Sequence, residues 1–311
     1  MNPITGDLPP QRLAHHQRPF TYTGVDYFGP VTVTIGRRHE KRYVALFTCL
    51  TSRALHLEIV HSLSSDSAIM ALRRFIARRG TPKTVYSDNG TAFVGANRIL
   101  KEFYSANILE FAATKNMTWS FIPAAAPSFG GCWERLVRSV KVALKATLNE
   151  RAPKEETLKT LLAEAEAIVN SRPLAHVSTD PEDPTTLTPF HFLIGSSSNE
   201  PMPTNLDDND LTRRAEWKKA LRLTDHFWNR WVREVLPTMQ IREQSRGNHG
   251  NDLQVGDVVI IVDESLPRGT WPRGRVQKLY PGKDGITRVV DVATQGGLLR
   301  RPLKKLVKLA T

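Results

Sequence analysis

The sequence predicts an α/β fold: a mixed sheet with helices on its faces, then a helical linker and a small β-barrel. Three observations carry this. Strand-like and helix-like runs alternate over the first half, in the order three strands, helix, strand, helix, strand, further helix. A long, tryptophan-bearing amphipathic run lies around residues 213–236. From Leu253 onward, short apolar runs are separated by Gly and Pro turns.

Residues 1–13 are polar and contain proline, and read as a leader. "YTGVDYFGPVTVTI" has strand composition, interrupted at Gly29-Pro30. "KRYVALFTCLT" and "ALHLEIV" are two further strands joined by a short turn at Ser52-Arg53, which suggests an antiparallel meander. "SSDSAIMALRRFIARRG" is a helix capped by Ser64 or Ser65, with Ile69, Leu72, Phe75 and Ile76 at helical spacing and Gly80 as its stop. "TVYSD" is a fourth strand ending on Asp88, "GANRILKEFYSAN" a second helix and "TWSFIP" a fifth strand.

Gly130-Gly131 predicts flexible chain ahead of the next helix. There Leu136, Val137, Val140, Leu144 and Leu148 form the apolar stripe. Glu134, Arg138, Lys141 and Lys145 share the other face. "KEETLKTLLAEAEAIVNSRPL" is another amphipathic helix, stopped before Pro173. Residues 176–211 read as a linker with one apolar knot, "TPFHFLIG". The long helix carries Trp217, Trp228 and Trp231, taken as packing residues rather than base-stacking ones. The expected domains are residues 14–200, a linker and helix over 201–250, and a basic barrel over 251–311.

The formal net charge is +12 over 311 residues, which points to a polyanionic partner, nucleic acid first. The barrel concentrates it: Ser265 to Thr311 hold eleven Lys and Arg against two Asp, a net of +9. Two cysteines, Cys49 and Cys132, form no metal-binding spacing, and His15 and His16 have no cysteine pair nearby, so no zinc is expected. No apolar run reaches membrane-spanning length, and no membrane partner is expected.

Three acids stand out in a chain expected to meet nucleic acid. Asp26 lies inside an apolar strand, where a charge is costly unless paired or metal-bound. Water at a strand edge is the plainer account. Asp88 opens the turn-former Asp88-Asn89-Gly90, and is either a turn residue or a carboxylate at the lip of a sheet. Glu134 starts a helix, either as a first-turn acid favouring the dipole or as a third ligand. Phosphodiester chemistry with two metals needs such clustered carboxylates.

The segments "GVDYFGP", "YSDNGTAF" and "PAAAPSFGGCWERLVRSVK" resemble the catalytic core of retroviral-type integrases, and the "FGGCWE" context is most similar to integrases of BEL/Pao-type LTR retrotransposons. The resemblance covers residues 14–200 well and the C-terminal part less specifically. It implies a ribonuclease H-like mixed five-stranded sheet with flanking helices, followed by an SH3-like barrel. It places the catalytic and metal-binding triad on Asp26, Asp88 and Glu134, with two Mg²⁺ or Mn²⁺ ions. The gap of 46 residues from Asp88 to Glu134 exceeds the family's familiar spacing, and Glu102 and Glu110 compete for the third place.

The activity so implied is 3′-end processing of element DNA and its transfer into target DNA. A catalytically inactive, host-adopted DNA-binding protein of the same fold is the alternative, and a ribonuclease acting on RNA–DNA hybrid a third reading. Implied DNA contacts are Asn89, Arg138, Lys141 and Lys145 in the core, with Trp271, Arg273, Arg275, Arg300, Arg301, Lys304 and Lys305 in the barrel. The loop 124–131 is expected to be mobile and to order on DNA. Joining two ends implies a homo-oligomer, and the reaction implies a nuclear site with a cytoplasmic particle as a further location.

Overall fold

The computed structural model describes residues 13–14, 17–106, 117–122, 127–148, 152–176, 186–197, 207–211, 215–236, 253–263 and 265–309; for 102–106, 127–135 and 210 the backbone alone is described. The chain divides into two compact units. The first comprises Met1–Val169 with Arg214–Ala220, the second Asn170–Arg213 with Leu221–Thr311.

In the first unit the strands are β1 (Tyr22–Ile35), β2 (Arg38–Cys49), β3 (Leu55–Val60), β4 (Thr84–Ser87) and β5 (Thr118–Phe121). They form one mixed sheet in the order β3-β2-β1-β4-β5. The expected meander is present: β1, β2 and β3 run antiparallel, because the connections between them are too short for anything else. β4 and β5 add in parallel on the far side of β1. Gly29-Pro30 does not break the first strand. The strand pairs with β2 from Thr23 to Phe28 and again from Val31 to Ile35, and the irregularity is absorbed as a bulge between Phe28 and Val31. Proline lacks a ladder donor, which a bulge tolerates.

Helix α1 (Ser65–Arg79) begins as its sequence demands. The Ser64 hydroxyl accepts the Ser67 N–H at 3.2 Å, and Gly80 closes the helix at a positive φ of 84°. It buries Leu72 and Phe75, and the Phe75 ring stacks on Phe47 at 4.3 Å and meets Phe20 edge-on at 5.3 Å. Fully burying one such side chain is worth about 1.5–3 kcal/mol. Helix α2 spans Thr91–Ala106 and starts directly after the Asp88 turn.

Helix α3 runs over Pro127–Leu148, so Gly130 and Gly131 lie within it rather than in loop. The expected mobile stretch is therefore helical from Pro127 on, while 124–126 lie outside the described residues. Pro127 at the first position suits a helix start. The predicted stripe of Leu136, Val137, Val140, Leu144 and Leu148 is buried. Helix α4 (Glu155–Asn170) buries Leu158, Leu161, Leu162, Ala165 and Val169.

In the second unit, β6 (Ala175–His176) and β7 (Thr186–Leu187) pair as a small ribbon, and the apolar knot forms helix α5 (Pro189–Ile194). Helix α6 spans Glu216–Arg230 and continues as a wider turn over Trp231–Val235. Trp228 and Trp231 are buried as expected, but Trp217 is 63% exposed, with the Lys218 ammonium 5.7 Å from its ring. The predicted barrel is an antiparallel sheet of β8 (Val258–Ile261), β9 (Arg273–Pro281), β10 (Thr287–Thr294), β11 (Gly297–Pro302) and β12 (Leu306–Lys308), ordered β11-β10-β9-β8-β12. Leu253, Val259, Ile261, Val276, Val290, Val292 and Leu306 fill it.

Candidate active site

Asp26 sits on the central strand, a few residues before the bulge. The parallel register of β1 with β4 pairs Tyr22 with Thr84, Thr23 with Val85 and Gly24 with Tyr86. This pairing ends there; Asp26 lies two residues on along β1, and Asp88 is the first residue beyond β4. Two acids 62 positions apart in the chain thus belong to adjoining parallel strands, Asp26 within β1 and Asp88 at the end of β4, where α/β sites collect.

The Asp88 carboxylate is fixed by its own turn. Its Oδ1 accepts the Gly90 N–H at 3.0 Å, and a Cβ at Gly90 would stand 3.0 Å from that oxygen, so the position favours glycine. Asn89 is also engaged: its amide donates to the Ile122 carbonyl at 2.9 Å, tying the end of β4 to the end of β5. Ser87, fully buried, accepts from Trp119 Nε1 at 2.9 Å and donates to the Asp88 carbonyl.

Asp26 is about one-third exposed, and its Oδ2 accepts the Lys141 ammonium at 2.6 Å. Its Oδ1 lies 2.7 Å from the Tyr27 N–H. The pair with Lys141 joins residues 115 positions apart and turns that face of α3 onto β1. Glu134 is seven residues before Lys141, hence on the same helix face about 10 Å along the axis. It lies about two turns inside α3, so the reading of it as a first-turn acid is overturned. Its side chain lies outside the described residues, as does all of Glu110, and Glu102 is described by its backbone alone. Arg138 and Lys145 are exposed and have no acidic partner among the described residues.

The fit to a divalent cation follows from these two acids. Asp26 and Asp88 both offer hard oxygen donors, and Asp26 already draws a cation, the Lys141 ammonium. Among the described residues no group of three or more Asp, Glu, His or Cys assembles, and Glu134 is not part of that count.

A second ionic cluster lies at the sheet's outer strand, β3. His56 is buried between Glu58 and Glu166, each 3.1 Å from a ring nitrogen. Arg74 and Arg78 donate to Glu58, Arg79 to Glu166, and Glu166 also accepts the Leu57 N–H at 2.9 Å. Burial by itself lowers the His56 pKa, but hydrogen bonds to Glu166 and Glu58 outweigh it and the net shift is upward. Burial alone would raise the Glu58 pKa, and His56 and Arg74 reverse that, leaving it below its usual value.

The barrel residues expected on DNA divide into two kinds. Trp271 donates to Ser171 at 3.2 Å and packs edge-on against Trp228, Arg273 donates to Thr186 at 2.7 Å, and Arg275 donates to the Gly256 carbonyl. Arg300 is held by Asp291 and lies over the Tyr280 ring at 4.5 Å. Hydrogen bonds from Arg300 and Tyr280 pull the Asp291 pKa down to about 2. Lys304 is exposed, and Arg301 and Lys305 are half-buried. Sequence reasoning passed over Lys278, whose ammonium lies 5.1 Å from the Tyr280 ring; its place three residues after Arg275 in a basic strand was the available signal.

Residues 16–127 match the family described as "Integrase core domain", and residues 215–309 match a "Family of unknown function (DUF5641)". No curated relative matches the chain. Among solved structures, a simian T-cell lymphotropic virus intasome in complex with PP2A regulatory subunit B56 gamma is similar at 12% identity, covering 96% of this chain and 82% of that one, with a TM-score of 0.38. The HTLV-2 integrase catalytic core domain in complex with magnesium is similar in its trimeric form at 17% identity, 57% and 97% coverage and a TM-score of 0.36. Its dimeric form gives 18%, 49% and 88%, and 0.33. The segment that carries Asp26 on β1 and Asp88 just beyond the parallel β4 is thus within the segment that matches the integrase core domain.

Proposed function

We propose that the chain is a DNA integrase of a BEL/Pao-type LTR retrotransposon, a metal-dependent polynucleotidyl transferase that trims element 3′ ends and joins them to target DNA. The observation that supports this reading is the place of Asp26 on β1 and of Asp88 at the end of the parallel-paired β4, inside the segment that matches the integrase core domain. Asp26, Asp88 and Glu134 would hold two Mg²⁺ or Mn²⁺ ions, which supply Lewis-acid activation of the attacking oxygen and charge neutralisation at the leaving one.

The remaining roles belong to the chain itself. The Asp88 turn and the β1–β2 ladder hold the two aspartates in place. Lys141 neutralises Asp26 until that carboxylate turns to a metal, and is then free for a DNA phosphate. Arg138 and Lys145, exposed along the same helix, position the backbone without reading sequence. Lys304 and Arg301 give the barrel its salt-sensitive DNA contact. Two ends must be joined together, so the working form contains more than one copy, acting in the nucleus.

The test is strand transfer of DNA ends in Mg²⁺ with wild type and Asp88→Asn. The wild type joins ends and the variant does not, while both retain salt-dependent DNA binding. Equal behaviour of the two proteins removes the enzyme reading and leaves a DNA-binding one. Cleavage confined to RNA–DNA hybrid would make the protein a ribonuclease instead.

A further inference from the structure

Asp88 stands one residue past β4, whose ladder to β5 ends at Ser87 opposite Phe121. Its backbone is therefore placed by contacts outside that ladder. The Ser87 hydroxyl donates to the Asp88 carbonyl at 2.8 Å and accepts the Trp119 Nε1–H at 2.9 Å. Ser87 is fully buried, and Trp119 is buried beside it. The Ser87 carbonyl in turn accepts the Ile122 N–H at 2.9 Å, and the Asn89 amide donates to the Ile122 carbonyl at 2.9 Å.

The direction of this relay is forced by its chemistry. An indole nitrogen only donates, and a serine hydroxyl carries one proton. With Trp119 donating to it, the Ser87 oxygen is the acceptor there, and its own proton goes to the Asp88 carbonyl. Hydrogen bonds in such a dry chain polarise one another, and losing one end leaves a buried polar atom unpaired. The indole is held in turn by packing. Its ring stands 6.0 Å from Phe93 in α2, and the Phe93 ring lies 4.5 Å from Tyr27, the residue after Asp26. One row of rings thus runs from the neighbour of the first aspartate to the residue that grips the turn of the second.

We propose that Trp119 and Ser87 are positioning residues for Asp88: the indole N–H orients the Ser87 hydroxyl, and that hydroxyl holds the Asp88 backbone so that its carboxylate meets a divalent cation at a fixed place. Both act through Asp88 rather than as ligands. The proposal rests on the metal-site reading above and adds to it that an uncharged, buried relay sets the site. Groups that orient a metal ligand show themselves in affinity, and losing one weakens binding about 10–100-fold.

The experiment uses the full chain without DNA. Trp119→Phe keeps an aromatic ring and removes the N–H, and Ser87→Ala removes the hydroxyl. Each should weaken Mn²⁺ binding in calorimetric titration by about tenfold. The double variant should bind no more weakly than either single one, because both changes break the same relay. The chain has six tryptophans, so six indole N–H signals are expected in a proton–nitrogen spectrum, and the one missing from Trp119→Phe belongs to Trp119. In wild type that signal should shift as Mg²⁺ fills the site, and in Asp88→Asn it should stay still; a ring that serves packing alone would not follow the metal. If the two single variants bind Mn²⁺ as tightly as wild type, if their losses add in the double variant, or if the Trp119 signal ignores bound Mg²⁺, the relay is wrong and the metal-site reading stands. If wild type binds no Mn²⁺, both fall together.

Discussion

Two of the meetings of carboxylates with cations in the first unit differ in cover and in number of partners. At the outer strand, buried Glu58 and partly buried Glu166 are shared among His56, Arg74, Arg78 and Arg79. At the central strand, Asp26 is one-third exposed and, among the described residues, meets one cation, Lys141, itself one-quarter exposed. A buried charge must be matched by several fixed partners or it destabilises the fold. A half-exposed carboxylate with one flexible partner can exchange that partner for another cation at small cost. The outer cluster belongs to folding, since Glu166 also occupies the free edge of β3 at the Leu57 N–H, where another chain could otherwise pair. The central one belongs to chemistry.

The largest effect that sharpens this contrast is at Asp26. Asp26→Asn should lower strand transfer by about a thousandfold or more, as loss of a metal-holding carboxylate does. Its thermal midpoint should stay near wild type, since one exchangeable contact is removed. A large fall in the midpoint would show that Asp26 is structural after all.

His56→Leu should do the reverse, costing about 3 kcal/mol of stability by leaving buried carboxylates underpaired. The pH dependence follows from the two shifts. His56, raised above 6.5, contributes fully below 6.5, and that contribution is lost as pH rises through its folded value. Glu58, held below 4.5, contributes above 4.5 and loses its share as pH falls through its folded value. The cluster is therefore strongest between 4.5 and 6.5. Urea midpoints taken across pH should fall above this window in wild type, and His56→Gln should flatten that fall. An unchanged slope would detach His56 from the cluster's stability.

The smallest effect belongs to Lys141. Removing an ion pair of this exposure changes stability by about 1 kcal/mol or less. Lys141→Met should leave the fold intact and tighten Mn²⁺ binding, because Asp26 loses its competing cation; calorimetric titration of Mn²⁺ without DNA reads this directly. Weaker binding in the variant would mean that Lys141 does not compete for Asp26.

Much of this was legible in the chain. The caps of α1 at Ser64 and Gly80, the meander and the α3 stripe follow from local rules about spacing, hydroxyl acceptors and glycine, and all three appear. The misreadings came where tertiary contacts overrode a local breaker. Gly29-Pro30 looked like a strand end, yet β2 pairs past it on both sides and turns it into a bulge. Gly130-Gly131 looked like loop, yet both lie inside a helix whose later turns are anchored by Val137 and Val140. Arg273 and Arg300 looked free for DNA because a sequence shows charge without showing that Thr186 and Asp291 lie beside it.

The sequence by itself determined which segments become strands and helices, and that the chain is basic, because propensity, capping and charge are properties of neighbouring residues. Only the tertiary structure decided that the strand of Asp26 runs parallel beside the strand that ends at Asp88, that Lys141 comes to Asp26 and that His56 falls between two glutamates. Those meetings join residues far apart in the chain. They depend on strand register and helix packing, where a slip of one residue would turn each side chain to the opposite face.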